Sequence, residues 1–542
     1  MNRASDTHPR SGQWADLLST PCFDLVVVGG GATGLGVALD AALRGFSVAV
    51  LESQDFAGGT SSRSTKLLHG GVRYLAQGNV ALVREALAER ATVMRIAPHL
   101  AQPLPFVMPS YRWWQTPFYG LGLKLYDLMA GKSGLGRTDF LSASEALAAL
   151  PGANPHGLRG GVRYWDGQFD DARLALSLAL TAEEAGARVL NYAEVTDIRR
   201  LSDAGHATTV LDVTDRLSGA EHHLQARCVV NATGVWVDSV RACAHREGQD
   251  AMPDRLVSPS QGVHVVVDRD FMPGEHALLV PKTRDGRVLF AVPWLGKLIL
   301  GTTDTPREDL PREPQAFSEE LTFILGEAGR VLSRPVCTKD IRSVWVGLRP
   351  LVAPPSSDRG GTKVLSREHT IVVDDNGLVT VTGGKWTTYR AMAEDVLERC
   401  FACGLLPARS GGLSEHHRLV GAPEPTTRAT PLHQAPALHL YGTASTQVMQ
   451  CEGAANEIGL GLSEAMVRYA VRCEHAHTVE DVLARRWRAL FLDARAAAAM
   501  APAVADILFD EGVFEPRLAE FEALCAHYLP EGTLLDAENT ER

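Results

Sequence analysis

The sequence predicts an α/β fold: a Rossmann-like domain with a parallel sheet, an inserted domain with a mixed sheet, and a C-terminal all-helical cap domain. Three observations predict it. Leu25 to Val28 is a continuous apolar, β-branched run, the pattern of a strand buried on both faces, and Gly29-x-Gly31-x-x-Gly34 follows at once. A second such strand, Cys228 to Asn231, runs into the tight turn Ala232-Thr233-Gly234 and returns the chain to the same fold. Between and beyond these the pattern changes. Val263 to Val267, Val288 to Val292 and Leu298 to Leu300 alternate as strands of a mixed or antiparallel sheet do, and the chain after about residue 438 is helical.

Residues 1–22 read as a loose polar leader. In the glycine fingerprint, Gly29 permits a tight turn, Gly31 lets the backbone approach a pyrophosphate, and Gly34 lets helix and strand pack closely. A helix from about Ala32 to Arg44 then directs its free amides and positive dipole end at phosphates. Ser47 to Leu51 is the second strand, and it ends at Glu52, an acid placed to accept hydrogen bonds from a ribose. The long polar run from Gly58 to Leu75, GGTSSRSTKLLHGGVRYL, comes directly off that strand and is placed to wrap a ligand. The hydroxyls of Thr60, Ser61, Ser62 and Ser64 and the amides up to His69 and Gly70 suit phosphate and ribityl contacts, with Arg63 and Lys66 adding positive charge.

Val80 to Ile96 repeats apolar residues at helical spacing. Tyr111 to Met129 is locally unusual, with six aromatics between Tyr111 and Tyr126 where the chain-wide 6% gives about one. It reads either as a segment docking at a membrane interface or as a buried aromatic wall. Asp170 and Asp171 read as capping acids of a helix running to about Ala185, and Arg188 to Asn191 as a short strand. Thr370 to Val373 and Leu378 to Thr382 flank Asp374-Asp375-Asn376-Gly377 as a hairpin. Gly383-Gly384 then opens a helix to about Cys400, offering a second set of free amides. Ser410 to Ala437 reads as linker, and Thr478 with Asp481 as a capping box in a helical domain without chemistry of its own.

The resulting plan puts residues 23–90, 155–245 and 350–405 in a discontinuous nucleotide domain and 91–154 with 246–349 in a substrate domain. The linker is 406–437 and the cap 438–542.

Composition narrows the function. The chain is long enough for roughly three domains. A net charge of -11 without runs of like charge argues against nucleic acid as a partner. The start lacks the apolar core of a signal peptide, and no 18-residue apolar run is present to span a bilayer. Nine scattered cysteines do not form a disulfide framework, and the lone Cys400/Cys403 pair reads as two reduced helix cysteines. The paired histidines lack the company a metal needs, so no metal is expected.

The fingerprint alone does not choose between FAD and NAD. Four longer stretches do: GTSSRSTKLLHGGVRYL at 59–75, DGQFDDARL at 166–174, GLRPL at 347–351 and GGKWTTYR at 383–390, joined by DVLARR at 481–486. In these, and in their order and spacing from Asp24 to about Arg495, the sequence resembles the FAD-dependent glycerol-3-phosphate dehydrogenases. The resemblance implies an FAD-binding domain of the glutathione-reductase and D-amino-acid-oxidase type. It also implies oxidation of sn-glycerol 3-phosphate to dihydroxyacetone phosphate by hydride transfer from C2 to flavin N5, with electrons passed to a membrane quinone. It carries FAD contacts to Gly29, Gly31, Gly34, Glu52, the Thr60–Lys66 stretch with His69 and Gly70, Gly234, Gly383 and Gly384. Substrate contacts fall on Arg73, Tyr74, His264, Thr303, Arg349 and Lys385.

The residue chemistry agrees. A phosphate dianion calls for cations, and Arg73 and Arg349 offer planar forks while Lys385 offers a point charge. A secondary alcohol calls for a proton acceptor, and His264, or else His69, has a side chain suited to it. Arg349 and Lys385 near the same oxygen would stabilise the alkoxide as it forms. One departure is Gln261, where the family often has a basic residue; a neutral side chain there weakens the positive field. The expected setting is cytoplasmic, peripheral on the inner face of the plasma membrane through 111–129, with a homodimer as the oligomer. The alternatives are an oxidase that delivers electrons to oxygen and releases peroxide, and a flavin-binding sensor without turnover.

Overall fold

The computed structural model describes residues 10–71, 80–203, 206–245, 254–353 and 369–531. The apolar run at the start forms the strand Phe23–Val28, wholly interior, between two parallel neighbours, Val48–Leu51 on one side and Glu221–Asn231 on the other. Leu378–Gly383 continues the parallel set beyond Glu221–Asn231, Arg188–Leu190 extends it beyond Val48–Leu51, and His369–Val373 closes one edge as the expected hairpin partner. Two long antiparallel strands, Ala193–Asp203 and His206–Asp215, fold out from this sheet before the chain re-enters it. The helix Ala32–Leu43 can lie this close because Gly34 has no side chain: a Cβ there would stand 2.0 Å from Gly29 O. It is sandwiched by Asp171–Glu184 and Tyr389–Ala402, so the parallel sheet is covered as such sheets must be.

A second sheet of ten strands, mostly antiparallel, stands over the first. Near one edge of it Ser260–Asp268 lies between Ile341–Arg349 and Lys297–Gly301, and Leu289–Trp294 pairs on the far side of Lys297–Gly301, so the three alternating segments are neighbouring antiparallel strands. One boundary moves. Gly160–Phe169 pairs over ten residues with Ala101–Ser110 in this second sheet, so the return to the nucleotide domain comes near residue 170 and not at 155. Leu67–Leu68, deep in the expected ligand-wrapping run, also joins this sheet.

Both presumed loose segments are anchored. Within the leader, Arg10–Leu18 is a helix whose Trp14 and Leu17 are buried, and Arg10 pairs with Asp215 at 2.9 Å. Within the linker, Leu419 and Leu432 are buried, and Leu432 O accepts from Leu295 N at 2.8 Å. The CxxC pair divides: Cys400 is buried with its Sγ 3.7 Å from Cys228 Sγ, while Cys403 is exposed.

The C-terminal domain is helical apart from one small ribbon, Glu457–Gly459 with Leu462–Ser463. Thr478 and Asp481 make the expected reciprocal cap, each bonded to the other's backbone amide at 3.1 Å. The domain is tied down by charge. Asp55, just past the ribose-side strand, is fully buried between Arg485 and Arg486, and Asn191 adds a bond at 3.0 Å. The two guanidiniums hold the Asp55 carboxyl far below the usual range against a burial effect that opposes them.

The aromatic segment becomes the helix Gln115–Ala130, with Leu123 and Tyr126 packed inward. Its other face is open: Trp113, Phe118, Leu121 and Leu128 are 77%, 67%, 74% and 77% exposed, so for them the reading as a buried wall is corrected. Among the described residues, no helix is long and apolar enough to cross a membrane.

Candidate functional site

A groove of about 580 Å³ runs along the C-terminal ends of the parallel strands, where open α/β sheets bind their ligands. Its floor is the glycine turn. Gly29 has φ +110°, and a Cβ there would meet Ala232 O at 2.8 Å, so only glycine is accommodated. Gly31, Glu52, Thr60, Ser61, Gly234, Gly383, Gly384 and Lys385 all border the groove beside it. Glu52 is fixed as an acceptor: one oxygen takes Gly30 N at 2.7 Å and the other Gln54 N at 2.9 Å. Burial nevertheless raises its pKa, with those two amides pulling the other way. Ser61 Oγ caps the first turn of the helix by accepting from Ala32 N at 2.9 Å. An elongated cradle of side-chain-free backbone, helix amides and a ribose-side acid fits an extended dinucleotide.

The wrapping run does something other than expected beyond Ser61. Its polar groups turn inward. Lys66 is wholly buried, 2.7 Å from Asp171 Oδ2 and 2.7 Å from Ser62 O, beneath the rings of Trp294, Trp345 and Phe491. Ser64 Oγ donates to the same Asp171 oxygen at 2.7 Å, and Arg488 of the C-terminal domain donates to Ser62 O at 2.6 Å. Arg63 pairs with Glu313. The positive charge assigned to a ligand is therefore taken up by carboxylates, which corrects the reading of the Arg63 and Lys66 side chains and the Ser64 hydroxyl as cofactor contacts. Asp170 caps its helix through Arg173 N, but Asp171 is a buried counter-ion instead. Gly70 gives its amide to Tyr126 Oη at 2.9 Å, and Ser62, His69 and Gly70 stand outside the groove. Gly34 serves packing alone.

Three bonds draw the remaining candidates together. Thr60 Oγ1 donates to Leu348 O at 2.6 Å, Thr65 Oγ1 meets His264 Nε2 at 2.9 Å, and Trp386 Nε1 donates to Ser61 O at 2.8 Å. The run thus ties the strand end carrying Arg349, the strand carrying His264 and the loop carrying Lys385 to one place, and Pro350 and Lys385 share the groove wall. His264 is 2% exposed and stacks on Trp345 at 5.2 Å. Burial, then the charges of Lys66 and Arg349, push its pKa well below the usual histidine range, so the imidazole is neutral. Its Nδ1 has no partner among the described residues. Arg349 is partly exposed, held by Asp304 at 3.1 Å, Thr302 Oγ1 at 3.2 Å and Thr303 O at 2.9 Å.

Two candidates are corrected. Thr303 is buried, with its hydroxyl donating to Glu320 at 2.8 Å and accepting from Val263 N at 3.0 Å, so it braces the strand and has no hydrogen to give a substrate. Gln261 is also buried, bridging Glu320 to the guanidinium of Arg307. It faces no open site, and the field argument made from it does not hold. Arg73 and Tyr74 lie outside the described residues.

Sequence reasoning missed the outer wall of the groove. Tyr192, Glu194, Trp236 and Arg312 line it, joined by Arg485, Arg517 and Phe521 of the C-terminal domain. The DVLARR signal was present but carried no visible chemistry, because its partner Asp55 is more than 400 residues away.

Comparison with known proteins agrees with this geometry. The profile of the FAD dependent oxidoreductase family matches residues 24–394, and that of the C-terminal domain of alpha-glycerophosphate oxidase matches 386–514. The mitochondrial glycerol-3-phosphate dehydrogenase of Mus musculus is 40% identical over 530 residues, covering 92% of this chain and 72% of the relative. That of Arabidopsis thaliana is 38% identical over 545 residues, covering 93% and 85%. A solved glycerol-3-phosphate dehydrogenase from Bacillus halodurans, complexed with FAD, superposes with a TM-score of 0.73 at 28% identity, covering 98% of this chain and 99% of that one. An L-alpha-glycerophosphate oxidase from Mycoplasma pneumoniae shares the fold, with a TM-score of 0.55 at 17% identity over 74% and 98% of the two chains.

The buried Lys66 gives a pH test. Burial pushes its pKa down from 10.5 to about 7, against the pull of Asp171. Between those values the unfolded chain holds a proton that the folded one has released, so stability rises with pH across that window and the full penalty applies below it. Denaturant midpoints measured at pH 7 and pH 9 should show wild-type protein gaining about 2 kcal/mol over Lys66→Met.

Proposed function

The chain belongs to the FAD-dependent glycerol-3-phosphate dehydrogenase family, and from that premise we propose that it oxidises sn-glycerol 3-phosphate to dihydroxyacetone phosphate and hands the electrons to a membrane quinone. One observation carries the substrate reading. Thr60 bonds Leu348 O and Ser61 bonds Trp386, so the chain neighbours of Arg349 and Lys385 are tied to one polar run, with Pro350 and Lys385 themselves lining the groove.

Bound FAD supplies the acceptor for the hydride that leaves C2. Everything else falls to the chain. Arg349 is a fork already oriented by Asp304 and the Thr303 carbonyl, so little ordering is needed when it takes a phosphate oxygen or the developing C2 oxygen. Lys385 adds a point charge beside Gly384, and the family resemblance assigns Arg73 and Tyr74 to the same substrate. His264 accepts the C2 hydroxyl proton. Its neutrality keeps it a base: Nε2 shares a hydrogen bond with Thr65 Oγ1, and the tautomer carrying its proton on Nε2 would leave Nδ1 as the acceptor atom.

The exposed apolar face of Gln115–Ala130 supports the quinone reading over the oxidase reading, because a lipid-soluble acceptor is met at a bilayer surface. Net negative charge opposes anionic lipid, so attachment rests on apolar area, with Arg112 and Lys124 at its margins. The corresponding setting is the inner face of the plasma membrane.

Anaerobic addition of glycerol 3-phosphate to the holoenzyme should bleach the flavin, and an unchanged spectrum overturns the assignment in favour of a sensor. Arg349→Met should lower kcat/KM by an amount equivalent to about 2–5 kcal/mol, the usual effect of removing one partner of an ion pair that bound substrate would bury. Cosedimentation with phosphatidylcholine–phosphatidylglycerol vesicles should be largely lost in a Phe118→Ser, Leu121→Ser protein. Peroxide yield measured against quinone reduction in the same samples separates dehydrogenase from oxidase.

A further inference from the structure

The C-terminal domain was expected to carry no chemistry, yet its residues form one wall of the cofactor groove. They gather at one end. Tyr192 N donates to Gln54 O at 2.7 Å and Ala193 N to Glu52 O at 2.8 Å, so the strand corner at 192–193 and the ribose-side acid form one unit. Onto that unit the C-terminal domain is fastened: Tyr192 Oη donates to Asp481 at 2.6 Å, Arg485 and Arg486 hold Asp55, and the Arg517 guanidinium lies 5.5 Å from the Tyr192 ring. Gly383, Gly384, Lys385 and Pro350 line the groove from the sheet ends and the turns that leave them.

Arg485 is committed to carboxylates. Arg517 is not: among the described residues its guanidinium donates to Arg216 O at 3.2 Å and pairs with no carboxylate. It also stands in the left-handed conformation, φ +56°, at the N-terminal boundary of Leu518–His527, where its side chain makes no cap. Such a backbone suits glycine or asparagine better, and a cation there opposes the helix dipole. Both costs are offset if the guanidinium lies along a purine ring or near a phosphate. Phe521, one turn on, adds an apolar surface to the same wall, and Arg312 approaches from the second sheet, 3.4 Å from Ser53 Oγ.

We infer that the helical C-terminal domain is a clamp on the adenosine half of FAD, with Arg517 and Phe521 as its ligand-facing residues. The inference rests on reading the groove as the FAD site. In this arrangement the two halves of the cofactor are held by different parts of the chain. The sheets hold the flavin half, and the adenosine half is enclosed only when the C-terminal domain is docked on Asp55 and Tyr192.

The test is equilibrium binding of FAD, ADP and FMN to apo-protein, followed by flavin fluorescence and, for ADP, by calorimetry. Arg517→Ala should raise the dissociation constants of FAD and ADP together by about ten-fold and leave FMN unchanged. Phe521→Leu, which keeps the wall filled, should move the same two in the same direction by less. Unchanged FAD and ADP affinity in Arg517→Ala overturns the clamp, as does an equal loss for FMN, which would mean a general loosening. Wild-type apo-protein that binds none of the three overturns the reading of the groove itself, a result distinct from either.

Discussion

The ammonium of Lys66 sits where no water reaches, between Asp171 and the Ser62 carbonyl and under the rings of Trp294, Trp345 and Phe491. Those groups come from every part of the molecule: Asp171 from the nucleotide domain, Trp294 and Trp345 from the second sheet, Phe491 with Arg488 from the C-terminal domain. A buried lysine bonded to a carboxylate tolerates little displacement, since moving either partner leaves a buried polar group uncompensated. The polar run from residue 58 to 71 is thereby pinned. Because it is pinned, Thr60, Ser61 and Thr65 can hold the Arg349 strand, the Lys385 loop and His264 in fixed relation.

The same constraint explains why His264 is neutral. It is buried against Trp345 with Lys66 and Arg349 both near enough to disfavour a proton. If His264 is the base proposed above, a phosphate dianion entering among those cations would raise its basicity.

What the sequence disclosed follows from the range over which each signal acts. The strand from Leu25, the fingerprint glycines, Glu52 and the hairpin at 374–377 are local, written in neighbouring residues, and they are found where expected. The GLRPL and GGKW stretches could be recognised as belonging to one site although nothing local shows that they meet. Partnerships across hundreds of residues were not legible: Lys66 with Asp171, Asp55 with Arg485 and Arg486, Thr303 with Glu320. Lys66 looked like a ligand-binding cation because its surroundings in sequence are polar, and only the fold shows that its surroundings in space are aromatic. The domain boundary expected at 155 moved for a related reason, since only the pairing of Gly160–Phe169 with Ala101–Ser110 shows which sheet that stretch joins.

The groove takes its walls from Val28 near one end of the chain and Phe521 near the other. During synthesis the glycine turn leaves the ribosome hundreds of residues before the last wall exists, and for most of that time any dinucleotide resting on it lies open to solvent. If the groove is the FAD site, its enclosure is complete only once Leu518–His527, the last helix among the described residues, has been made.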